Sequence, residues 1–165
     1  LCLIGKGSLE VVELLAHAFP QALSAKTDAG STPLWSAARY KAPLAVIEFL
    51  LKESPDAARV ADNNGWLPLH TAVRYEAPAS VVSALLAAYP EAAGRALNSG
   101  SLPLHLCLEG KGSLEVVQLL AHAFPQALSA KTNAGATPLD KAAQFKAPLA
   151  VVERWAPKPS AQWPC

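Results

Sequence analysis

Two short segments of this 165-residue chain look as if they could bind a phosphate group. The sequence Gly-Lys-Gly-Ser occurs at residues 5–8 and again at residues 110–113. A phosphate-binding loop needs a glycine, four further residues and then Gly-Lys-Ser or Gly-Lys-Thr, all after a strand. Here a glycine follows the lysine, and each segment lies between two predicted helices. We therefore interpret both segments as interhelical turns that end in an N-cap serine, Ser8 or Ser113, and expect no nucleotide cofactor.

Histidines and cysteines are the other residues that could carry chemistry. His70 and His105 occupy the same place in two copies of the phrase Pro-Leu-His, and no further ligand lies at helical spacing from them. Cys107 follows His105 by two residues, and such positions do not share a helix face. No set of Ser, His and Asp suggests a catalytic triad. The sequence predicts neither a metal site nor an enzyme, and we interpret Cys2 and Cys107 as small buried thiols.

The composition argues against several classes of function. The net charge is +1 and only 16% of the residues are charged, which argues against a basic nucleic-acid surface and against electrostatic capture by a membrane. No apolar run approaches the roughly 18 residues of a membrane span. Three cysteines are too few for a disulfide framework, so we expect a reducing, intracellular (cytoplasmic) compartment. Because the chain begins with Leu1 and contains no Met, we expect a fragment of a longer protein.

A repeat of 35 residues organises the chain. The same phrase, which begins Gly-Ser-Thr-Pro-Leu in its first copy, opens at Gly30, Gly65, Gly100 and Gly135. Most of the prolines recur with this spacing. Residues 1–30 and 106–135 differ at only three positions, which indicates a copied block of three repeats. Self-similarity at such a period is typical of proteins built from stacked repeats.

The phrase and the residues after it predict two helices per repeat. Thr32 suits the N-cap and Pro33 the first position of a short helix that runs to about Tyr40. Pro43 is predicted to be the first residue of a second helix, because the apolar residues after it have helical spacing. Pro55 and its equivalents would end that helix. An extended loop would then lead to a turn in which glycine supplies a positive φ.

One such helix pair cannot bury its apolar face alone, whereas stacked neighbours can. Two columns of apolar residues recur with the period and form the predicted core: Leu34, Leu69, Leu104 and Leu139, and Val46, Val81, Val116 and Val151. The sequence therefore predicts an all-α solenoid of stacked helix-turn-helix units with hairpin-like loops.

The repeated phrase resembles the ankyrin repeat. The pattern Gly-x-Thr-Pro-Leu-His-x-Ala, followed by a Val-Val-x-x-Leu-Leu helix, extends over about residues 1–153. The period is longer than the ~33 residues usual in that family, and the tetratricopeptide pattern Trp-x-x-Leu-Gly-x-x-Tyr is absent. We expect a partial repeat at 1–27, full repeats at 28–62, 63–97 and 98–132, a truncated repeat at 133–153 and a non-repeat tail at 154–165. We also expect fraying at residues 1–7 and disorder at 156–165.

The resemblance implies roles for particular positions. In ankyrin repeats the histidine of Pro-Leu-His is structural and forms hydrogen bonds near the hairpin, which applies here to His70 and His105. Trp35 and Asp140 take its place in other repeats, where we expect a different arrangement. Ankyrin arrays bind proteins along a concave face of hairpin tips and first helices. Carried over by position, the partner-binding residues are Asp28, Ser31, Asn63, Asn64, Trp66, Asn98 and Ser99 at the tips and Arg39, Tyr40, Arg74, Tyr75, Glu109, Gln144 and Phe145 on the helices.

Three functions are compatible with the sequence. The first is a non-catalytic scaffold that binds a protein partner through the concave face, where the Arg-Tyr pairs and Trp66 are hot-spot residue types. The second is a targeting or regulatory segment of a larger enzyme or signalling protein. The third is a structural spacer without a specific partner, which the near-identical copied block favours. None of the three calls for a cofactor, a metal ion, a nucleic acid, a membrane or a small-molecule substrate.

Overall fold

The computed structural model describes residues 8–110 and 112–145. The helices in this part of the chain are α1 (Leu9–Ala18), α2 (Pro33–Arg39), α3 (Leu44–Glu53), α4 (Pro68–Arg74), α5 (Ala79–Ala88), α6 (Pro103–Glu109), α7 (Leu114–Ala123) and α8 (Pro138–Gln144). No strand occurs within it, which agrees with the predicted all-α class. The expectations for residues 1–7, for Val151 and for the tail at 154–165 concern residues outside the described ranges.

The helices form two layers. The short helices α2, α4, α6 and α8 pack side by side in chain order, and the longer helices α1, α3, α5 and α7 form a second layer in the same order. The two helices of a repeat also pack on each other, as α2 does on α3 and α4 on α5. This is the stacked helix-turn-helix arrangement that the period predicts.

The core lies between the two layers. Its buried members include six residues of the two predicted columns: Leu34, Leu69, Leu104, Val46, Val81 and Val116. Leu139, in the same column as Leu34, is half-buried. Each fully buried leucine stabilises the fold by about 2 kcal/mol relative to an exposed one, so the periodic columns carry much of the stability.

The first helices begin as predicted, whereas the two second helices that follow Pro43 and Pro78 begin one residue later. The hydroxyl of Thr32 accepts a hydrogen bond from the Trp35 N–H at 3.2 Å, which is the role of an N-cap. Pro43 was predicted at the first helical position and is instead the N-cap, with ψ of 147°. Its carbonyl accepts from the Val46 N–H at 3.0 Å. The prediction failed because proline lacks an N–H and therefore suits either position.

The loop after each second helix contains a turn of 3-10 helix that the sequence analysis did not predict. In the second repeat, α3 ends at Glu53 and the turn spans Pro55–Arg59. Equivalent turns span Pro20–Leu23, Pro90–Gly94 and Pro125–Ser129. Proline ends one helix and also suits the start of the next turn, where no N–H is needed. The loop is therefore compact at its start and not fully extended.

Glycine completes the hairpin-like turns. The four glycines of the repeated phrase have φ between +77° and +82°, a region that other residues enter only at a cost. In the first turn, the Gly30 N–H donates to the Thr27 carbonyl at 2.8 Å, and the Thr27 N–H donates to the Ser31 carbonyl at 3.0 Å. These turns confirm the prediction and place a first helix directly after each of them.

Candidate protein-binding surface

Two rows of residues run along the array. We call residues 28–31, 63–66, 98–101 and 133–136 the tip row, and residues 39–40, 74–75, 109–110 and 144–145 the helix-end row. A first helix of seven residues, about 10 Å long, separates the two rows in each repeat. Because the first helices pack in chain order, each row continues from repeat to repeat.

Arg39 joins two neighbouring repeats in the helix-end row. Its Nη1 donates a hydrogen bond to the Tyr75 hydroxyl oxygen at 2.5 Å. The guanidinium carbon lies 4.5 Å from the ring centroid of Tyr75 and 5.7 Å from the centroids of Tyr40 and Trp35. These are cation–π distances. Aromatic rings from two repeats therefore hold the Arg39 guanidinium in one place.

Arg74 occupies the same column one repeat further on, without such a ring across from it. Gly110 stands where the preceding repeats have Tyr40 and Tyr75. A Cβ at Gly110 would lie 2.9 Å from the Arg74 carbonyl oxygen, so glycine permits the close approach of α6 to α4. The Arg74 side chain is exposed.

Glu109, in contrast, has a cationic partner within the protein. Its Oε1 lies 2.6 Å from Nζ of Lys141, with side-chain exposures of only 17% and 20%. The same Nζ lies 5.8 Å from the ring centroid of Phe145. Among the described residues, no ion pair includes Arg39 or Arg74. The helix-end row therefore has an unneutralised cationic part and a part whose charge is neutralised internally.

Most of the predicted helix positions are accessible. Tyr40 and Tyr75 are 43% and 38% exposed, and Phe145 is exposed to a similar degree. Arg74 and Gln144 are exposed, whereas Arg39 and Glu109 are half-buried. The structure thus brings Arg39, Tyr40 and Tyr75 into one cluster. Arg74 immediately precedes Tyr75 in the sequence.

Two asparagines of the tip row tie neighbouring tips together. Nδ2 of Asn63 donates to the Asp28 carbonyl at 2.8 Å, and Nδ2 of Asn133 donates to the Asn98 carbonyl at 2.8 Å. The backbone N–H of each asparagine adds a second bond to the same preceding tip, at 3.0 and 2.9 Å. Asn98 forms no corresponding bond to the tip before it within the described ranges. Asn63 therefore has a structural role that the sequence interpretation did not foresee.

Two predicted tip contacts are less accessible than expected. Ser31 is only 7% exposed, so its side chain offers little surface to a partner. Trp66 is in the same column and is half-buried, with its ring edge-on to His70 at 6.4 Å between centroids. The backbone N–H of Trp66 also donates to Oδ1 of Asp62 at 2.8 Å. The remaining predicted tip residues, Asp28, Asn64, Asn98 and Ser99, are exposed.

His70 and His105 are buried hydrogen-bonding residues, as the resemblance implies. Nδ1 of His70 accepts from the Leu67 N–H at 3.2 Å, and its Nε2 donates to the Arg95 carbonyl at 2.8 Å. Burial lowers the pKa of His70 to about 4, so the ring is neutral near pH 7. Nδ1 of His105 accepts from the Leu102 N–H at 3.2 Å, and burial lowers its pKa as well. Both rings therefore accept the N-cap N–H of a first helix, and His70 also bonds to the Arg95 carbonyl, whereas the buried Nε2 of His105 has no hydrogen-bond partner among the described residues.

The repeats without this histidine differ at the same place, as expected. The Asp140 carboxylate accepts from the N–H and the hydroxyl of Thr137 at 2.8 and 2.7 Å, and these hydrogen bonds lower its pKa. The Thr137 hydroxyl in turn accepts from the Asp140 N–H, which completes a capping box. The indole ring of Trp35 contains no acceptor atom, so it cannot accept an N-cap N–H as histidine does. Its buried Nε1 has no hydrogen-bond partner among the described residues.

The other chemistry-bearing residues have structural roles. Cys107 is a buried free thiol, and burial raises its pKa to about 12. The hydroxyl of Ser113 accepts from the Val116 N–H at 3.3 Å, so it is an N-cap, as predicted. Ser8 is also an N-cap, without a side-chain bond. Over residues 8–110 and 112–145, no group of three or more His, Cys, Asp or Glu side chains could hold a metal ion. No helix in these ranges is long and apolar enough to cross a membrane.

Comparison with known protein families agrees with this architecture. The family described as ankyrin repeats in three copies matches residues 2–96, which is more than half of the chain. No curated protein matches the sequence. Ankyrin repeats in general mediate protein–protein interaction and are typically non-catalytic. The matched residues include the stacked helices α1 to α5, and we conclude that this chain belongs to the ankyrin-repeat family.

Proposed function

We propose that this chain is a non-catalytic scaffold that binds a protein partner through a concave face of hairpin tips and first helices. The cluster of Arg39, Tyr40 and Tyr75 in the helix-end row is the observation that supports this proposal best. Arginine and tyrosine are enriched among the residues that dominate binding energy. An arginine already held by aromatic rings loses less conformational entropy when a partner binds.

Accessibility refines the set of contact residues. We omit Glu109, which is paired with Lys141, and Asn63, which is bonded to the neighbouring tip. We assign the partner contacts to other exposed or half-buried predicted positions: Arg39, Tyr40, Arg74, Tyr75, Gln144 and Phe145 at the helix ends, and Asp28, Asn64, Asn98 and Ser99 at the tips. Ser31 is excluded by its burial. Trp66 is excluded because it packs against a buried histidine, so its loss would destabilise the fold itself.

A capture experiment with two matched variants tests the proposal. The wild-type chain and a variant carrying Arg39→Ala, Tyr40→Ala, Arg74→Ala and Tyr75→Ala are exposed to the same library of displayed random peptides. The control variant carries Arg59→Ala, Tyr89→Ala and Arg95→Ala, which removes a similar Arg-over-Tyr contact, 4.6 Å long, that lies outside both rows. Circular dichroism and thermal denaturation first establish that all three proteins are folded.

The expected result is that peptides enriched by the wild type are lost from the helix-end variant and kept by the control. Enrichment of the same peptides by all three proteins would refute a partner site in the helix-end row. If the folded wild type enriches no peptide at all, the scaffold function itself fails, and a structural spacer becomes the better explanation.

A further inference from the structure

We infer that the helix-end row selects an acidic partner segment in which two carboxylates lie about three residues apart, and that Arg39 and Arg74 bind these carboxylates. The inference rests on the proposed function and names the chemistry of the partner. Its basis is the distribution of paired and unpaired charge along the first helices.

Arg39 has more donors than the protein uses. A guanidinium group carries five N–H donors, and here one of them donates to the Tyr75 hydroxyl. The group is half-buried, and none of the carboxylates in the described ranges forms an ion pair with it. Leaving a partly desolvated cation without a counter-charge is costly, and a carboxylate that binds two of its N–H groups side by side would offset that cost.

Arg74 extends the cationic surface by one repeat. It ends α4 as Arg39 ends α2, and it has no ion-pair partner within the same ranges. The turns that follow these helices carry Lys41 and Glu76, both exposed. This part of the row and the turns that follow it therefore have three cations and one anion, so the local charge is positive although the chain as a whole is nearly neutral.

The positive part of the row ends at the next repeat. There the column holds Glu109, which Lys141 neutralises at 2.6 Å. On α6 this column therefore has no cation that could bind a further acidic group of the partner. The acidic portion of the partner is thus confined to the surface of α2 and α4.

The distance between the helices sets the spacing of the partner's carboxylates. Packed helices lie about 8–10 Å apart, and a peptide in the polyproline II conformation rises about 3.1 Å per residue with three residues per turn, so side chains three residues apart point the same way. Two carboxylates that meet Arg39 and Arg74 together are therefore about three residues apart, as in Glu-x-x-Glu. The exposed rings of Tyr40 and Tyr75 provide apolar surface for the residues between them.

Fluorescence anisotropy with a synthetic probe tests the inference. The probe is a fluorescein-labelled peptide Gly-Glu-Leu-Ser-Glu-Leu-Gly, and the control peptides replace both Glu by Gln or place the two Glu side by side. We expect saturable binding of the probe that weakens as salt is added, and weaker binding of both control peptides. Arg39→Gln and Arg74→Gln should each weaken probe binding at least about tenfold.

Arg59→Gln is the matched control, because Arg59 also lies over a tyrosine ring, that of Tyr89, and loses the same charge. It should leave the affinity for the probe unchanged. The inference is overturned if the probe does not bind saturably, if the Gln peptide binds equally well, or if Arg39→Gln and Arg74→Gln bind like the wild type. If the random-peptide experiment succeeds without enriching spaced acidic residues, the scaffold function stands and only the acidic preference fails.

Discussion

Gly112 leaves the space that the sulfur of Cys107 fills. The Gly112 N–H donates to the Cys107 carbonyl at 2.8 Å, just as the Ala42 N–H donates to the Ala37 carbonyl at 2.9 Å. A Cβ added at Gly112 would overlap the Cys107 Sγ. The repeats therefore fill the same volume in two ways, with a pair of alanines or with a cysteine and a glycine.

This relationship predicts strong coupling between two substitutions. Gly112→Ala should lower the free energy of unfolding by about 1–3 kcal/mol, because it overfills a packed site. Cys107→Ala in the same chain should restore most of that loss, since it recreates the pair formed by Ala37 and Ala42. Urea denaturation of both single variants and the double variant measures the coupling. Effects that simply add would contradict the packing argument.

Buried His70 predicts that stability falls as the solution is acidified. Its pKa is about 4 in the folded protein and about 6.5 when unperturbed, so between these values the unfolded chain binds more protons. Lowering the pH from about 7 to about 5 should therefore reduce the free energy of unfolding by about 2 kcal/mol through this residue. Burial of His105 acts in the same direction. Urea denaturation at several pH values above about 5 keeps the titration of carboxylates such as Asp140 out of the measurement.

His70→Gln is the control for this pH dependence, because glutamine can form hydrogen bonds and does not titrate. The variant should be less stable than the wild type near pH 7, and its free energy of unfolding should fall less between pH 7 and pH 5. An identical pH dependence in the two proteins would assign the effect to other groups.

Because asparagine side chains join only some neighbouring tips, the same Asn→Ala substitution should destabilise the protein by different amounts at different tips. Asn63→Ala and Asn133→Ala should each lower the free energy of unfolding by about 1 kcal/mol, because each removes a hydrogen bond to the preceding tip. Asn98→Ala provides the matched control, and its effect should stay within about 0.5 kcal/mol. Thermal or urea denaturation of the three variants compares them directly. A cost for Asn98→Ala as large as the other two would refute this distinction.

The sequence of α1 is nearly that of α7, yet the two helices differ in burial. They differ at a single position. α7 packs on α5, which leaves Val116 only 4% exposed, whereas the equivalent Val11 is 45% exposed. Leu14 and Leu15 of α1 and its C-cap residue Phe19 are exposed as well. An α5-like neighbour would therefore fit α1 as α5 fits α7.

Placing a copy of residues 71–105 directly before Leu1 should supply that neighbour. We expect the free energy of unfolding to rise by a few kcal/mol and the binding of a hydrophobic dye to fall, because apolar surface becomes buried. A copy of residues 36–70 at the same place is the control, since it brings the α3 sequence in place of α5. Equal gains from both extensions would mean that the match between the α5 and α1 faces is not specific.

The period alone predicts most of the fold, because each repeat restates the same local signals. Thr32 and Pro33 mark a helix start whose hydrogen bond the structure contains, and Gly30 marks a turn with the expected positive φ. The 3-10 turn at Pro55–Arg59 could not be predicted in the same way. Proline signals the end of a helix and the start of a turn by the same missing N–H, so composition does not separate the two.

The candidate site was less predictable, since a repeat column defines a position and not its exposure. Ser31 and Trp66 share a column, and the structure gives both a role inside the protein. The bond from Arg39 to Tyr75 joins residues 36 apart, one repeat plus one position, which depends on how neighbouring first helices are offset. The recurring Arg-Tyr pair was the signal for this cluster, but the contact itself is a property of stacking.

The pairing of the tips divides the array mechanically. Tips 28–31 and 63–66 are bonded to each other, as are tips 98–101 and 133–136, while the boundary between 63–66 and 98–101 lacks the asparagine bonds. The two bonded pairs can therefore tilt relative to each other more easily than their members can. Under a stretching force along the tip row, the asparagine bonds within each pair would resist separation of the tips, whereas no such bonds would act at the seam between 63–66 and 98–101.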